Sequence, residues 1–231
     1  MINVTDIHKE YIDGETSVRA LRGVSLHIAK GEFLSIAGPS GSGKTTLLNV
    51  IGCIDTADSG GLSIDGDRIN GAHGVSSRAL IEIRRAKIGF VFQSFNLIPV
   101  LTAYENVAMA LSLLGLAESE IRERTTKILT EVGLAGMEDR RPAKLSGGQQ
   151  QRVAVARALV KDPLIVLADE PTANLDSETG EAILKLMKSI NQRIGTTFVF
   201  STHDQMVMDY ADRLCRLHDG LIESDEVRRS A

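Results

Sequence analysis

The glycine-rich segment GPSGSGKTT, residues 38–46, contains the residue types that bind phosphate groups. Glycines allow backbone N–H groups to wrap around an anion, a lysine reaches the outer phosphate oxygens, and a following hydroxyl ligates Mg²⁺. The residues expected to contact phosphates or metal are Gly38, Ser40, Gly41, Ser42, Gly43, Lys44, Thr45 and Thr46. The segment therefore predicts a nucleoside triphosphate site with Mg²⁺, in which Lys44 also assists catalysis.

A second motif, LIVLADEP at residues 164–171, is an apolar run that ends in two carboxylates. An unpaired carboxylate at the edge of a core is costly, so two in succession require a reason. In a nucleotide site Asp169 holds the Mg²⁺ shell and Glu170 polarises the attacking water as a general base. The structural alternative is that these carboxylates cap a helix that begins near Pro171.

A third motif, AKLSGGQQQRVAVARAL at residues 143–159, places a serine and two glycines before a predicted helix. Such a helix start presents unpaired N–H groups and the positive end of the helix dipole to an anion. The chain thus has two separate phosphate-binding patterns, although one nucleotide needs only the first.

The hydrophobic pattern around these motifs predicts the elements that hold them. Residues 3–36 read as short strands, and the helix predicted from Lys44 onward makes the glycine loop the turn of a βα unit. Further strands are predicted at 87–93, 164–169 and 196–202, and apolar residues at helical spacing predict helices over 102–134. Asp219 and Gly220 are expected at the turn of a closing hairpin.

These elements predict an α/β fold of the P-loop NTPase type. It has a core of mostly parallel strands, an antiparallel β flank near the N-terminus and an inserted α-helical subdomain. We expect the nucleotide-binding core to comprise residues 1–93 and 151–231, and the helical subdomain to comprise residues 94–150 and to end in the third motif.

Composition narrows the functional classes. The 231 residues are 43% hydrophobic and carry a net charge of −4, which is typical of a globular protein and argues against binding to nucleic acid. No apolar window approaches the roughly 18 residues of a membrane span, and the N-terminus lacks a signal-peptide pattern, so we expect a cytoplasmic chain. Cys53 and Cys215 are isolated in sequence and are expected to be buried thiols.

The segment LSGGQ at residues 145–149 resembles the signature of the ATP-binding-cassette (ABC) ATPases, and the order and spacing of the other motifs match that family along essentially the whole chain. The resemblance implies that Tyr11 stacks on adenine and that Gln93 contacts Mg²⁺ and a membrane partner. It also places Asp176, in ANLD, in a loop that crosses a dimer, and makes His203 the residue that senses the γ-phosphate. Taken singly, Tyr11 reads as a strand aromatic, Gln93 as a surface polar residue and His203 as a core histidine.

The resemblance also accounts for the second phosphate-binding pattern. In this family it implies that the signature residues contact the γ-phosphate of a nucleotide held by another subunit; here they are Ser146, Gly147, Gly148 and Gln149. ATP then holds together a head-to-tail homodimer, and the two-fold symmetry forms two sites at once.

A cassette without a membrane span implies a separate integral membrane permease subunit or domain, which would hold this chain on the inner face of the cell membrane. The segment QSFNLIPVLTAYENV, residues 93–107, is expected to expose Phe95, Leu97, Ile98 and Tyr104 to that partner. The alternative is that these apolar residues pack inside the helical subdomain.

The amino-acid sequences of the motifs are most similar to those of the MacB/LolD group, which powers macrolide export and lipoprotein release. A regulatory ATPase of the FtsE type, which signals across the membrane without carrying a solute, is the alternative within the same fold. A DNA-repair ATPase is less favoured, because those proteins separate their motifs by long coiled coils and no sustained heptads occur here.

Overall fold

The computed structural model describes residues 1–14, 16–70 and 76–228. The chain divides into two compact units, of which the first comprises residues 1–84 and 197–231 and the second residues 85–196. These limits do not coincide with the predicted helical subdomain at 94–150, and those boundaries stay a prediction.

The first unit begins with an antiparallel sheet. Its elements in chain order are β1 (Ile2–Asp13), β2 (Thr16–Ile28), β3 (Phe33–Ala37), α1 (Lys44–Ile51), β4 (Ser59–Ile64) and β5 (Asp67–Asn70). Strands β2, β1, β4 and β5 pair in that order and are all antiparallel. Ile2, Ile7, Ile28 and Ile64 are fully buried, which gives this sheet one apolar face. The predicted antiparallel flank is confirmed.

The remaining strands of the first unit surround β3. After α2 (Ser77–Lys87) and the second unit, the chain returns as β8 (Thr197–Thr202), α7 (Gln205–Tyr210), β9 (Arg213–His218) and β10 (Leu221–Val227). Strand β3 pairs in parallel with β8 and with β9, whereas β10 is antiparallel to β9. All residues of β3 and β8 are buried, and Phe33, Phe198 and Phe200 pack with ring centroids 4.6 to 6.1 Å apart. This is the core that carries the glycine loop.

The second unit combines a parallel strand pair with four helices. Its elements are β6 (Ile88–Val91), α3 (Ala103–Ser112), α4 (Glu118–Glu131), a 3₁₀ turn (Pro142–Lys144), α5 (Gly147–Leu159), β7 (Ile165–Asp169) and α6 (Ser177–Ile194). Strands β6 and β7 pair in parallel, with Val91 opposite Ala168. Helix α3 begins with a capping box between Thr102 and Glu105, and α6 ends at Gly195, whose φ of 70° is the left-handed conformation that favours glycine there.

Several sequence predictions can be compared directly with these elements. The strands, the helices over 102–134 and the turn at Asp219 (φ 46°) and Gly220 (φ 75°) are confirmed. Cys53 and Cys215 are buried free thiols, as expected, and burial raises the pKa of Cys53 to about 11 and that of Cys215 to about 12. Over the described part of the chain, no helix has both the length and the apolarity to cross a bilayer.

Candidate functional site

The glycine loop joins β3 to α1 and is held by the backbone around it. The Gly38 N–H donates to the Thr202 carbonyl oxygen at 3.3 Å. A Cβ atom on Gly38 would lie 2.0 Å from the Leu217 carbonyl oxygen, and one on Gly43, whose φ is 101°, would lie 2.3 Å from the Ala20 carbonyl oxygen. Both positions therefore require glycine, and the loop has the close backbone approach that a phosphate cradle needs.

Lys44 begins α1 and is the cation of this loop. Only 7% of it is exposed, and its Nζ donates to the carbonyl oxygens of Gly38 and Pro39, both at 2.8 Å. The Ser42 hydroxyl is buried and has no hydrogen-bond partner among the described residues. A buried ammonium and an unpartnered hydroxyl in one loop suit an anion with several acceptor oxygens, so the residues present fit a phosphate group.

Tyr11 lies on β1 in the same unit. Its hydroxyl donates to Asp55 Oδ2 at 2.8 Å, and Lys9 Nζ lies 5.2 Å from the ring centroid. Burial raises the pKa of the Tyr11 phenol and the hydrogen bond to Asp55 raises it further, whereas a hydrogen bond with Thr46 lowers it. Because Thr46 is in the first turn of α1, Tyr11 lies beside the glycine loop, with 41% of its surface exposed.

His203 directly follows β8. In the register of the parallel pair, Thr202 lies opposite Ala37, the last residue before the glycine loop. The carboxyl ends of β3 and β8 thus meet at one edge of the sheet. His203 is exposed, so it is not a core histidine. The first unit therefore brings together Tyr11, the glycine loop and His203.

In the second unit, Asp169 ends β7 and Glu170 follows it. Both residues are half-buried, and Glu170 adopts a left-handed backbone conformation with φ of 46°. The turn that follows is closed by hydrogen bonds from the Ala173 N–H to the Glu170 carbonyl oxygen at 3.2 Å and from the Leu175 N–H to the Thr172 carbonyl oxygen at 3.0 Å. The next helix, α6, is capped by Asp176, so neither Asp169 nor Glu170 serves as a helix cap.

Gln93 follows β6, the strand next to β7. Its side chain is exposed, and its carbonyl oxygen accepts a hydrogen bond from Asn174 Nδ2 at 2.9 Å, which links it to the turn after Glu170. Gln93 and the two carboxylates are thus neighbours at one end of the parallel pair.

The third sequence motif forms the start of α5. Ser146 is the N-cap: its Oγ accepts from the Gln149 N–H at 3.3 Å, and its own N–H donates to Gln149 Oε1 at 3.0 Å. Ser146 is exposed, Gly147 is half-buried and Gly148 is buried. A Cβ atom on Gly148 would lie 2.4 Å from Thr179 Cγ2, so close packing against α6 requires glycine. The exposed helix start retains the N–H groups that can bind an anion.

Asp176 is exposed and caps α6 beside this helix start. Its two carboxylate oxygens accept from Thr179, one from the hydroxyl at 2.7 Å and one from the backbone N–H at 2.9 Å. These hydrogen bonds lower the pKa of the Asp176 carboxyl, with the hydroxyl contributing most.

One expectation about the segment at 93–107 is wrong. Phe95, Leu97, Ile98 and Tyr104 are half-buried, whereas Val100 is the strongly exposed apolar residue, at 71%. Part of this segment is held by Asn106 of α3, a fully buried polar residue that the sequence did not single out. Its amide donates to the carbonyl oxygens of Ile98, Leu101 and Thr102 at 2.9 to 3.2 Å and accepts from the Ile98 N–H at 2.8 Å.

Two further polar residues were missed, and both lie on α5. Arg157 donates to the carbonyl oxygen of Phe95 at 2.7 Å and to that of Asn96 at 2.5 Å, and burial lowers the pKa of its guanidinium. Gln151 is fully buried and donates to the Pro171 carbonyl oxygen at 2.6 Å. The sequence does not distinguish them from the other glutamines and arginines of α5, Gln149, Gln150 and Arg152.

A large part of the chain matches one known family. Residues 21–173 match the family described as ABC transporter. The chain belongs to the ABC transporter family. An ABC transporter ATP-binding protein of Thermotoga maritima is 46% identical over 99% of this chain and 96% of its own length. The macrolide export ATP-binding/permease protein MacB of Syntrophobacter fumaroxidans is 46% identical over 97% of this chain, but the match covers only 31% of that relative.

The solved structures include an equally similar ABC cassette. The dimeric, post-hydrolysis structure of the cassette MJ0796 of Methanocaldococcus jannaschii, bound to ADP and Pi, superposes with a TM-score of 0.90. It is 46% identical to this chain, and the match covers 100% of both chains. The fold is therefore that of the ABC ATPases, and the chain is an ATPase subunit of an ABC transporter.

Proposed function

We propose that this ABC ATPase works as an ATP-closed head-to-tail homodimer that drives a membrane permease of the macrolide-export or lipoprotein-release type. The observation that carries the proposal is the exposed, capped start of α5, which offers a second anion site in a chain that already has a phosphate loop.

In the proposed site the first unit binds the phosphates. Lys44 exchanges the carbonyl oxygens of Gly38 and Pro39 for the β- and γ-phosphate oxygens, and the loop amides wrap the same groups. Tyr11, with its exposed ring surface, stacks on adenine. The remaining loop contacts come from Ser40, Gly41, Ser42 and Thr46.

Three side chains are proposed to hold Mg²⁺: the hydroxyl of Thr45, the amide of Gln93 and the carboxylate of Asp169. Their oxygen atoms are the type of ligand that Mg²⁺ prefers, so the donor set fits this ion. When bound, Mg²⁺ neutralises charge on the phosphate oxygens during the transfer.

Glu170 is the proposed general base. Its carboxylate accepts a proton from the water that attacks the γ-phosphorus atom, and ADP leaves as the bond to the bridging oxygen breaks. His203, exposed beside the phosphate loop in the first unit, is proposed to contact the γ-phosphate.

The proposed dimer uses Ser146, Gly147, Gly148 and Gln149 on the γ-phosphate held by a second copy, and Asp176 in the loop that crosses between the copies. The support is the exposure of Ser146 and Asp176 in this chain and the dimeric state of the similar cassette MJ0796. Closure on ATP and opening after hydrolysis then supply the movement that the permease uses.

The proposed membrane partner is supported by the MacB relatives, whose name includes a permease. Residues 93–107 remain the proposed contact, with exposed Val100 at their centre. Through this partner the chain would lie peripherally on the inner face of the cell membrane, and no nucleic-acid partner is proposed.

The proposed base is tested by Glu170→Gln, which keeps the shape of the side chain and removes its ability to accept a proton. We expect unchanged ATP affinity, turnover lowered roughly 10²- to 10⁴-fold, and an ATP-bound dimer that persists in size-exclusion chromatography with light scattering. The matched control is Glu178→Gln, an exposed carboxylate in the first turn of α6, which should leave turnover unchanged. Near-normal turnover of Glu170→Gln would assign the base elsewhere, with His203 as the next candidate.

A further inference from the structure

Gln151 is a buried residue of α5, the helix that begins at the LSGGQ signature, and its side-chain amide contacts the turn that contains Glu170, the proposed base. It is fully buried, and its Nε2 donates to the Pro171 carbonyl oxygen at 2.6 Å. Its Oε1 is also buried and finds no hydrogen-bond partner among the described residues.

An amide with only one of its two polar atoms hydrogen-bonded destabilises the fold relative to an apolar side chain. A buried polar atom without a partner costs free energy, and an apolar side chain of similar volume at position 151 would avoid that cost. Further along α5, Val153, Ala154 and Val155 are fully buried and apolar, so this helix does place apolar side chains in the core. The hydrogen bond to the Pro171 carbonyl oxygen is therefore the contact that distinguishes this amide from an apolar side chain.

The carbonyl group that it holds belongs to the residue directly after Glu170. The proline ring fixes φ of Pro171, so the direction of the Pro171 carbonyl group sets the one remaining backbone torsion of that residue. Glu170 itself has a φ of 46°, a conformation that a non-glycine residue keeps only when its surroundings hold it there. The Gln151 bond thus restrains the backbone segment that orients the Glu170 side chain.

We propose that Gln151 is a positioning residue for ATP hydrolysis: it fixes the Pro171 carbonyl group and thereby keeps the Glu170 carboxylate directed at the attacking water. The inference rests on the proposed role of Glu170 as the base. It predicts a defect in the chemical step and none in nucleotide binding.

The first test is Gln151→Met, which keeps the volume and removes the N–H donor. We expect kcat to fall at least tenfold, while KM and the Kd for ATP stay within twofold of the unmutated values. The matched control is Asn191→Leu, which removes a buried amide that donates to the Thr196 carbonyl oxygen at 2.8 Å, away from the turn after Glu170. Rates are normalised to the folded fraction from thermal unfolding, and the control should keep its kcat.

The second variant, Gln151→Glu, gives a signature in the pH dependence. Burial raises the pKa of a carboxyl group, and its protonated form can replace the lost N–H with an O–H donor to Pro171. Below that raised pKa kcat should approach the unmutated value, and as pH rises through it kcat should fall, an effect that the unmutated protein and Asn191→Leu lack.

Combination with Glu170→Gln separates this proposal from the proposed function. If Gln151 acts through Glu170, then adding Gln151→Met to Glu170→Gln should change the residual turnover less than twofold. A normal kcat for Glu170→Gln alone would reject Glu170 as the base, and with it the premise of this proposal.

A low kcat for Glu170→Gln together with a normal kcat for Gln151→Met would overturn only the positioning role. An unaltered pH profile for Gln151→Glu would also overturn only that role. Failure of both Gln151 variants to fold would overturn it too, because the bond would then serve the fold.

Discussion

Among the single residues, Lys44 shows how the phosphate loop holds a buried cation. The ammonium group is buried, and the Gly38 and Pro39 carbonyl oxygens bind it where phosphate oxygens are proposed to bind. The carbonyl oxygens accept hydrogen bonds from the ammonium group but carry no formal charge, so the ionised oxygens of a phosphate group bind it more strongly.

Lys44→Ala removes this charge, so we expect ATP affinity to fall roughly 10- to 100-fold, since a hydrogen bond to a charged group contributes about 1.5–3 kcal/mol. Fluorescent nucleotide titration measures the change in ATP affinity, and the substitution of exposed Lys30 in Lys30→Ala is the control.

Removal of Mg²⁺ tests the same site in the unmutated protein. Excess EDTA should stop hydrolysis, because the proposed site needs Mg²⁺. Turnover that persists in EDTA, or unchanged affinity in Lys44→Ala, would contradict the site.

Sequence alone could place the residues whose chemistry depends on local order. The glycine loop, the paired carboxylates and the signature serine each follow from adjacent residue types, and the structure has them at the ends of the predicted strands and helix. Gln151 could not be found in this way, because its partner is the backbone carbonyl group of Pro171, in the turn between β7 and α6. A hydrogen bond to a distant carbonyl group leaves no pattern in the sequence.

Among the secondary-structure elements, α5 begins at the signature motif and is hydrogen-bonded through Arg157 to the segment after β6. Phe95 and Asn96 both adopt left-handed conformations, with φ of 59° and 47°, and both of their carbonyl groups accept hydrogen bonds from Arg157. Two successive non-glycine residues in this region are strained, so the bonds from Arg157 offset an unfavourable backbone.

Arg157→Ala should therefore release this segment. The two carbonyl groups lose their charged donor, and at about 1–3 kcal/mol for each unsatisfied group we expect a loss of roughly 2–6 kcal/mol in unfolding free energy. Hydrogen exchange of residues 93–98 should increase. Arg157→Lys should restore only part of this, because one ammonium cannot match the planar fork of the guanidinium. Exposed Arg122→Ala on α4 is the control; equal exchange in Arg157→Ala and in this control would contradict the role of Arg157.

Two features of the secondary-structure elements could not be predicted from the sequence. The sequence pattern did not predict helix α2, a short helix whose only large apolar residues are Leu80, Ile81 and Ile83 and none of whose residues is buried. The half-buried state of Phe95, Leu97, Ile98 and Tyr104 was not predicted. Buried Asn106 holds the later part of the segment through three carbonyl groups, and Arg157 holds Phe95. Periodicity shows which face of an element is apolar, but not which loop a buried amide holds.

In the whole molecule, each chain has two features that are suited to bind an anion, and we propose that they bind different nucleotides. The first unit has the phosphate loop with Lys44, and the second has the start of α5, which Ser146 of the LSGGQ signature caps. If Ser146 serves a second copy, each complete site draws on two chains. A defect in one chain can then be complemented by an intact motif in the other.

Two defective chains test this assignment, both with Glu170→Gln to block turnover: one with Lys44→Ala and one with Ser146→Arg. Alone, each chain can form only broken sites. In a mixed dimer, the phosphate loop of the second chain faces the signature of the first, so one complete site forms and the other inherits both defects. With different affinity tags, the mixture should yield an ATP-dependent heterodimer with one bound nucleotide, whereas Glu170→Gln alone should retain two. If each chain completed its own site, mixing would restore nothing. A chain with Ser146→Arg as its only change that still closes and hydrolyses ATP at the normal rate would exclude the shared site, because the arginine would then lie away from every γ-phosphate.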